Sequence, residues 1–72
     1  MSKAIRQKLA LRIRQLRKQY AYTQEKLSEL AGVDYKHLQL LESKDPSGAT
    51  IDTLEKLANA FDITLSELLT FK

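Results

Sequence analysis

The apolar positions of this chain fall into short stripes at helical spacing, with no stretch of strand-like alternation. Ile5, Leu9, Ile13, Leu16 and Tyr20 recur at i, i+4, i+8, i+11 and i+15, which puts them on one face of a helix running from about Lys3 to Tyr20. Leu11 lies off that stripe with Ala4 on the same side; a single exposed leucine is ordinary on a protein surface, and the pair is also a place where a partner could sit. Ala21 and Tyr22 form a short link to Thr23, whose hydroxyl suits the N-cap of a second helix with Leu27, Leu30 and Ala31 as its stripe. Gly32 follows, a residue that tolerates the left-handed geometry of a helix end. Asp34 can then cap a third helix in which Leu38 and Leu41 face inward while Lys36, Gln39, Leu40 and Ser43 fall on the opposite side, by the 100° step per residue.

Residues 23–42 therefore read as two short helices joined by one tight glycine turn, the helix-turn-helix pattern. Beyond them, residues 43–50 (SKDPSGAT) carry the strongest loop signal in the chain at Pro46, Ser47 and Gly48. Thr50 caps a fourth helix with Ile51, Leu54, Leu57, Ala58 and Phe61 on its inward face and Asp52 in its first turn, near the positive end of the helix dipole. Thr64 or Ser66 starts a short fifth helix with Leu65, Leu68 and Leu69 on its apolar side, ahead of Phe71 and Lys72. The predicted architecture is all-α, a compact five-helix bundle forming a single domain over residues 1–72. A chain of 72 residues buries only about 60% of its unfolded surface, so the core is small and its stability modest.

Charge divides unevenly along the chain. Residues 1–20 carry seven bases (Lys3, Arg6, Lys8, Arg12, Arg14, Arg17 and Lys18) and no acid, whereas the other 52 carry five bases and nine acids, so the halves are +7 and −4 within a net charge of +3. A concentrated positive field attracts polyanions, which makes nucleic acid the first partner to consider, against the plainer reading of a solvated basic helix that balances an acidic body. The chain has no cysteine, so it uses neither disulfides nor thiolate chemistry, as suits a reducing cytosol. No apolar run approaches the roughly 18 residues that span a bilayer, and the first residues lack the apolar core of a secretory signal. The expectation is a soluble, cytoplasmic protein without a membrane partner.

In order along the chain, Ile13, Leu16 and Arg17 in IRQLR, Thr23, Gln24 and Leu27 in TQEKL, Ala31 to Val33 in AGV, Leu38 and Glu42 in LQLLE, then TLEKLANAFDI and LSELL, resemble the lambda-repressor-like helix-turn-helix family of phage repressors, Cro and xenobiotic-response-element regulators. The resemblance covers nearly the whole chain and implies a bundle of five helices whose third lies in the major groove of DNA. It implies that Gln24 contacts a phosphate and braces the recognition helix, with Thr23 beside it at the start of helix two. Tyr35, Lys36 and Leu40 match positions that read base edges, with His37 and Gln39 on the flanks, and Ser43 and Lys44 match positions that contact the backbone. Arg17 and Glu42 match an arginine and glutamate that pair to tie helix one to the end of helix three. The family commonly has glycine where Lys44 stands, which predicts either another loop path or a lysine in the left-handed region. Leu40 cannot hydrogen-bond a base, so it must meet a thymine methyl group or a protein.

No nucleophile stands beside a base and no phosphate loop is present, which argues against an enzyme with catalytic residues or a small-molecule substrate. His37, the only histidine, lies near Asp34 on the third helix, but one imidazole and one carboxylate make no metal site, and no cofactor is predicted. Glu25, Glu29, Glu55 and Glu67 lie on polar faces and need no role beyond solubility. The reading is a transcriptional regulator that binds double-stranded operator DNA as a homodimer, on half-sites about 34 Å apart, the dimer surface being placed by family usage on the fourth and fifth helices with Phe71. The alternative is a protein-interaction module or antitoxin-like adaptor that keeps the fold and binds a partner through Leu40, Tyr35 and Leu11.

Overall fold

The computed structural model describes residues 2–46 and 48–71; Met1, Lys72 and Ser47 of the predicted loop lie outside the described residues. Five helices follow one another: α1 (Lys3–Gln19), α2 (Gln24–Ala31), α3 (Tyr35–Leu41), α4 (Ile51–Ala60) and α5 (Leu65–Leu68), with no strand among the described residues. Each begins at a side chain that accepts a hydrogen bond from one of the first amides, which otherwise have no partner within the helix. Thr23 accepts from the Lys26 amide at 3.0 Å, Thr50 from Thr53 at 3.2 Å, and Asp34 Oδ2 from both Lys36 and His37 at 3.0 and 3.2 Å. Ser2, which the apolar pattern leaves unread, caps α1 in the same way through Ile5. Of the two candidate starts for α5 it is Thr64 that caps, and Glu67 returns the bond to the Thr64 amide at 3.1 Å to complete a capping box.

Three helices end on a residue in the left-handed region: Ala21 after α1 (φ 58°), Gly32 after α2 (φ 69°) and Asp62 after α4 (φ 56°). In each case the next amide reaches back to the last turn, Tyr22 to Arg17 at 2.9 Å, Val33 to Ser28 at 3.1 Å and Ile63 to Ala58 at 3.0 Å, which closes the helix and turns the chain sharply. Only the turn at Gly32 is announced by its sequence. A Cβ on Gly32 would meet nothing within 4 Å, so glycine serves the backbone angle there and not a close approach. Lys44 is not among the residues with positive φ, so the loop after α3 takes a path that the family's glycine would not be needed for.

The core gathers Leu9, Ile13 and Leu16 from α1, Leu27 and Ala31 from α2, Leu38 and Leu41 from α3, Leu54, Leu57 and Ala58 from α4, and Leu68 from α5, with Val33 and Phe61 from the turns. Phe61 is fully buried, and Tyr20 and Tyr22 pack against it with ring centroids 5.2 and 6.1 Å away. The Tyr20 hydroxyl donates to the Phe61 carbonyl at 2.7 Å, so the end of α1 is joined to the end of α4. Four residues expected on apolar stripes are exposed instead: Ile5, Leu30, Ile51 and Leu69. Ile5 extends the α1 stripe past Leu9, the first buried residue of that face, Leu30 sits at the edge of the α2 stripe, and Ile51 and Leu69 lie at helix ends where no neighbour covers them. Ala10, off the predicted stripe, is buried instead.

Candidate nucleic-acid interface

α3 is held from behind and bare in front. Leu38 and Leu41 anchor its inner side in the core, and Glu42, which ends it, is the one buried charged residue among those described. The Arg17 guanidinium grips both oxygens of that carboxylate, Nε standing 3.1 Å from each and Nη2 3.0 Å from Oε1. A bidentate geometry of this kind fixes orientation as well as distance. Nη1 of Arg17 also donates to the Tyr22 carbonyl at 3.1 Å, so one side chain joins the α1–α2 turn to the end of α3. That third bond has no signature in the sequence because its acceptor is a backbone atom.

On the outward side, Lys36, Gln39 and Leu40 share an exposed face, and Leu40 keeps 54% of its surface open to solvent. Tyr35 is exposed at the first position of the helix, and His37 is half-buried on the flank, its amide bonded to Asp34. Asp34 thus places its carboxylate on the free amides at the start of α3, where it occupies the position an anion would take. Ser43, half-buried, turns its hydroxyl back onto the Leu40 carbonyl at 2.8 Å, while Lys44 is exposed.

α2 offers a different kind of end. Thr23 satisfies the Lys26 amide, which leaves the amides of Gln24 and Glu25 without an intrahelical acceptor, directed along the axis toward whatever approaches. Gln24 is half-buried there, at the first position of α2.

α1 divides its bases between two sides of the bundle. Arg17 faces the end of α3, whereas Arg12 reaches the opposite end of the fold, where Nη2 donates to the Glu67 carbonyl at 2.9 Å and Nε to that of Leu68 at 3.4 Å. Glu67, read from sequence as a solubilising residue only, has its carboxyl held below the ordinary carboxylate range, first by the backbone and side-chain hydrogen bonds at Thr64 and then by Arg12. Lys8, Leu11, Arg12 and Gln15 also line a shallow groove of about 280 Å³ with Thr70 and Phe71; it includes none of the α3 residues. No cluster of three or more metal-ligating side chains occurs among the described residues, and none of the described helices is long and apolar enough to cross a membrane.

The profile of the helix-turn-helix family matches residues 13–68 of the chain. The restriction-modification controller protein C.AhdI from Aeromonas hydrophila has a similar structure, with a TM-score of 0.83 and 32% identity over 90% of this chain and 97% of that one. SinR, a master regulator for biofilm formation solved in complex with DNA, gives 0.78 and 33% identity over 85% of this chain and 97% of that one. The N-terminal DNA binding domain of SinR from Bacillus subtilis gives 0.77 and 33%, over 85% and 88% of the two chains. No curated protein sequence matches.

Proposed function

The chain belongs to the lambda-repressor-like helix-turn-helix family of DNA-binding transcription regulators, and from that membership we propose that it acts in the cytoplasm as a homodimer on operator DNA, each copy laying α3 in a major groove. The observation that carries this is the outward face of α3, where Lys36, Gln39 and Leu40 stand exposed on a helix whose back is fixed by the core and by the Arg17–Glu42 pair. Gln39 and Lys36 supply hydrogen bonds to base edges, and Tyr35 and His37 border them. The amides of Gln24 and Glu25 beside Thr23, with Ser43 and Lys44 beyond α3, supply the phosphate contacts that set register without reading sequence. Such a helix addresses one half-site, and a second copy about 34 Å away addresses the other.

The test is a titration of duplex DNA, enriched from a random pool, against salt. The logarithm of the binding constant is expected to fall against the logarithm of salt concentration by about 0.9 for each phosphate neutralised. Lys36→Ala is expected to weaken binding without lowering the melting temperature, and sedimentation of the complex is expected to show two copies per duplex. Binding that ignores salt, or one copy per duplex, would overturn the proposal. Leu40 is the observation that favours the protein-binding alternative, since a large apolar side chain on a DNA-reading face needs an apolar partner.

A further inference from the structure

We propose that Leu40 is a specificity-determining residue that packs on the C5-methyl group of a thymine in each half-site; this rests on the DNA-binding reading above. The floor of the major groove presents hydrogen-bond donors and acceptors almost everywhere, and the thymine methyl is the one apolar group it offers. A leucine there either meets that methyl or strips water from a polar edge without replacing the hydrogen bond, which penalises every other base.

Other exposed large apolar residues, such as Ile5, Leu30 and Ile51, do not share the outward face of α3. Leu40 has exposed lysines four residues before and after it, Lys36 and Lys44, with Gln39 adjoining, and positions 35–41 contain no carboxylate. One cation on each side of Leu40, Lys36 on the helix and Lys44 just past it, favours a polyanion over an apolar pocket on a protein.

Position also favours reading over mere filling. Leu38 and Leu41 on either side of it are almost fully buried, and its carbonyl accepts from the Ser43 hydroxyl at 2.8 Å. Glu42 next to that turn is locked by Arg17. The backbone carrying Leu40 is therefore fixed before DNA arrives, so the ordering cost falls only on its own side chain.

Exchange of thymine for deoxyuridine removes the methyl and nothing else from the groove edge. With duplexes enriched from a random pool, each thymine is replaced in turn and affinity is measured for the wild type and for Leu40→Ala, a surface change that leaves the core intact. For the wild type, one thymine per half-site is expected at which uracil costs about fourfold, and about fifteenfold when both are replaced, from ~0.8 kcal/mol per buried methyl. Leu40→Ala is expected to bind the thymine and uracil forms within about twofold of each other. No sensitive thymine for the wild type, or a thymine preference that survives in Leu40→Ala, would overturn the inference while the salt dependence and the Lys36→Ala loss still stand for DNA binding. If no duplex is enriched at all, both fall together.

Discussion

Two arginines on one helix, five residues apart, tie α1 to opposite ends of the bundle, and the ties differ in kind. Arg17 meets a carboxylate that is shut away from water, with its side chain only 2% exposed, whereas Arg12 meets two backbone carbonyls at the exposed end of α5. If Arg12 is removed, the exposed Glu67 carbonyl turns to solvent and no charge is stranded; if Arg17 is removed, Glu42 is left as a buried charge with no counterpart. What the partner can do once abandoned sets the cost, more than the number of hydrogen bonds lost.

The largest effect is therefore expected from Arg17→Ala, at about 3 kcal/mol, since breaking a buried pair costs about 3–5 when burial is complete and the Arg17 side chain retains 17% exposure. In a domain of this size that is a fall of about 12–24 °C in Tm by thermal denaturation. Arg14→Ala is the control on the same helix: its Nε is buried without a hydrogen-bond partner, so its loss is expected to move Tm little. An Arg17→Met, Glu42→Leu double variant, which removes both charges, is expected to recover most of the loss; failure to recover would mean that the Tyr22 carbonyl contact matters more than the carboxylate.

Arg12→Ala comes next, at about 0.5–1 kcal/mol and a few degrees in Tm, because its shorter bond, to the Glu67 carbonyl, is exposed and its bond to Leu68 is long. A loss as large as that of Arg17→Ala would erase the distinction between the two junctions. The smallest effect belongs to Glu67. Its carboxyl titrates lower in the folded chain than in the unfolded one, so the ionised form is favoured by folding, and that contribution is present at neutral pH and disappears as pH falls through the acid range. Denaturation midpoints of the wild type and Glu67→Gln are expected to differ slightly at pH 7 and to converge under acid conditions.

Much of the fold was legible because local rules decide it. Thr23, Asp34, Thr50 and Thr64 cap where a hydroxyl or carboxylate precedes a helical stripe, and Ser2 does so by the same rule although its stripe is weak at that end. Alanine does not announce the left-handed angle that Ala21 takes, and aspartate at position 62 announces it only weakly, as a residue type that visits that region occasionally. Periodicity gave the direction of each face but not how far neighbours extend over it, hence the exposed Ile5, Leu30, Ile51 and Leu69. The outward set on α3 follows from the helical step alone. The Arg17–Glu42 pair, 25 residues apart, came from family resemblance and from no spacing rule. The Arg12 contacts have no sequence signature because they go to carbonyls, which every residue has, whereas the Thr64-to-Glu67 spacing is itself a capping-box signature.

The shortness of α3 has a consequence for how such a molecule finds its address. Seven residues make a rod about 10 Å long at 1.5 Å each, enough to lie across three or four base-pair steps. A four-letter word recurs by chance about once in 250 positions, so a genome with some millions of competing positions would contain it thousands of times over. Nothing in the chemistry of one rod can repair that shortage of information. In the proposed dimer the missing letters lie in the separation between two rods, so substitutions that alter how the copies sit together are expected to change which sites are bound without touching a single side chain that meets DNA.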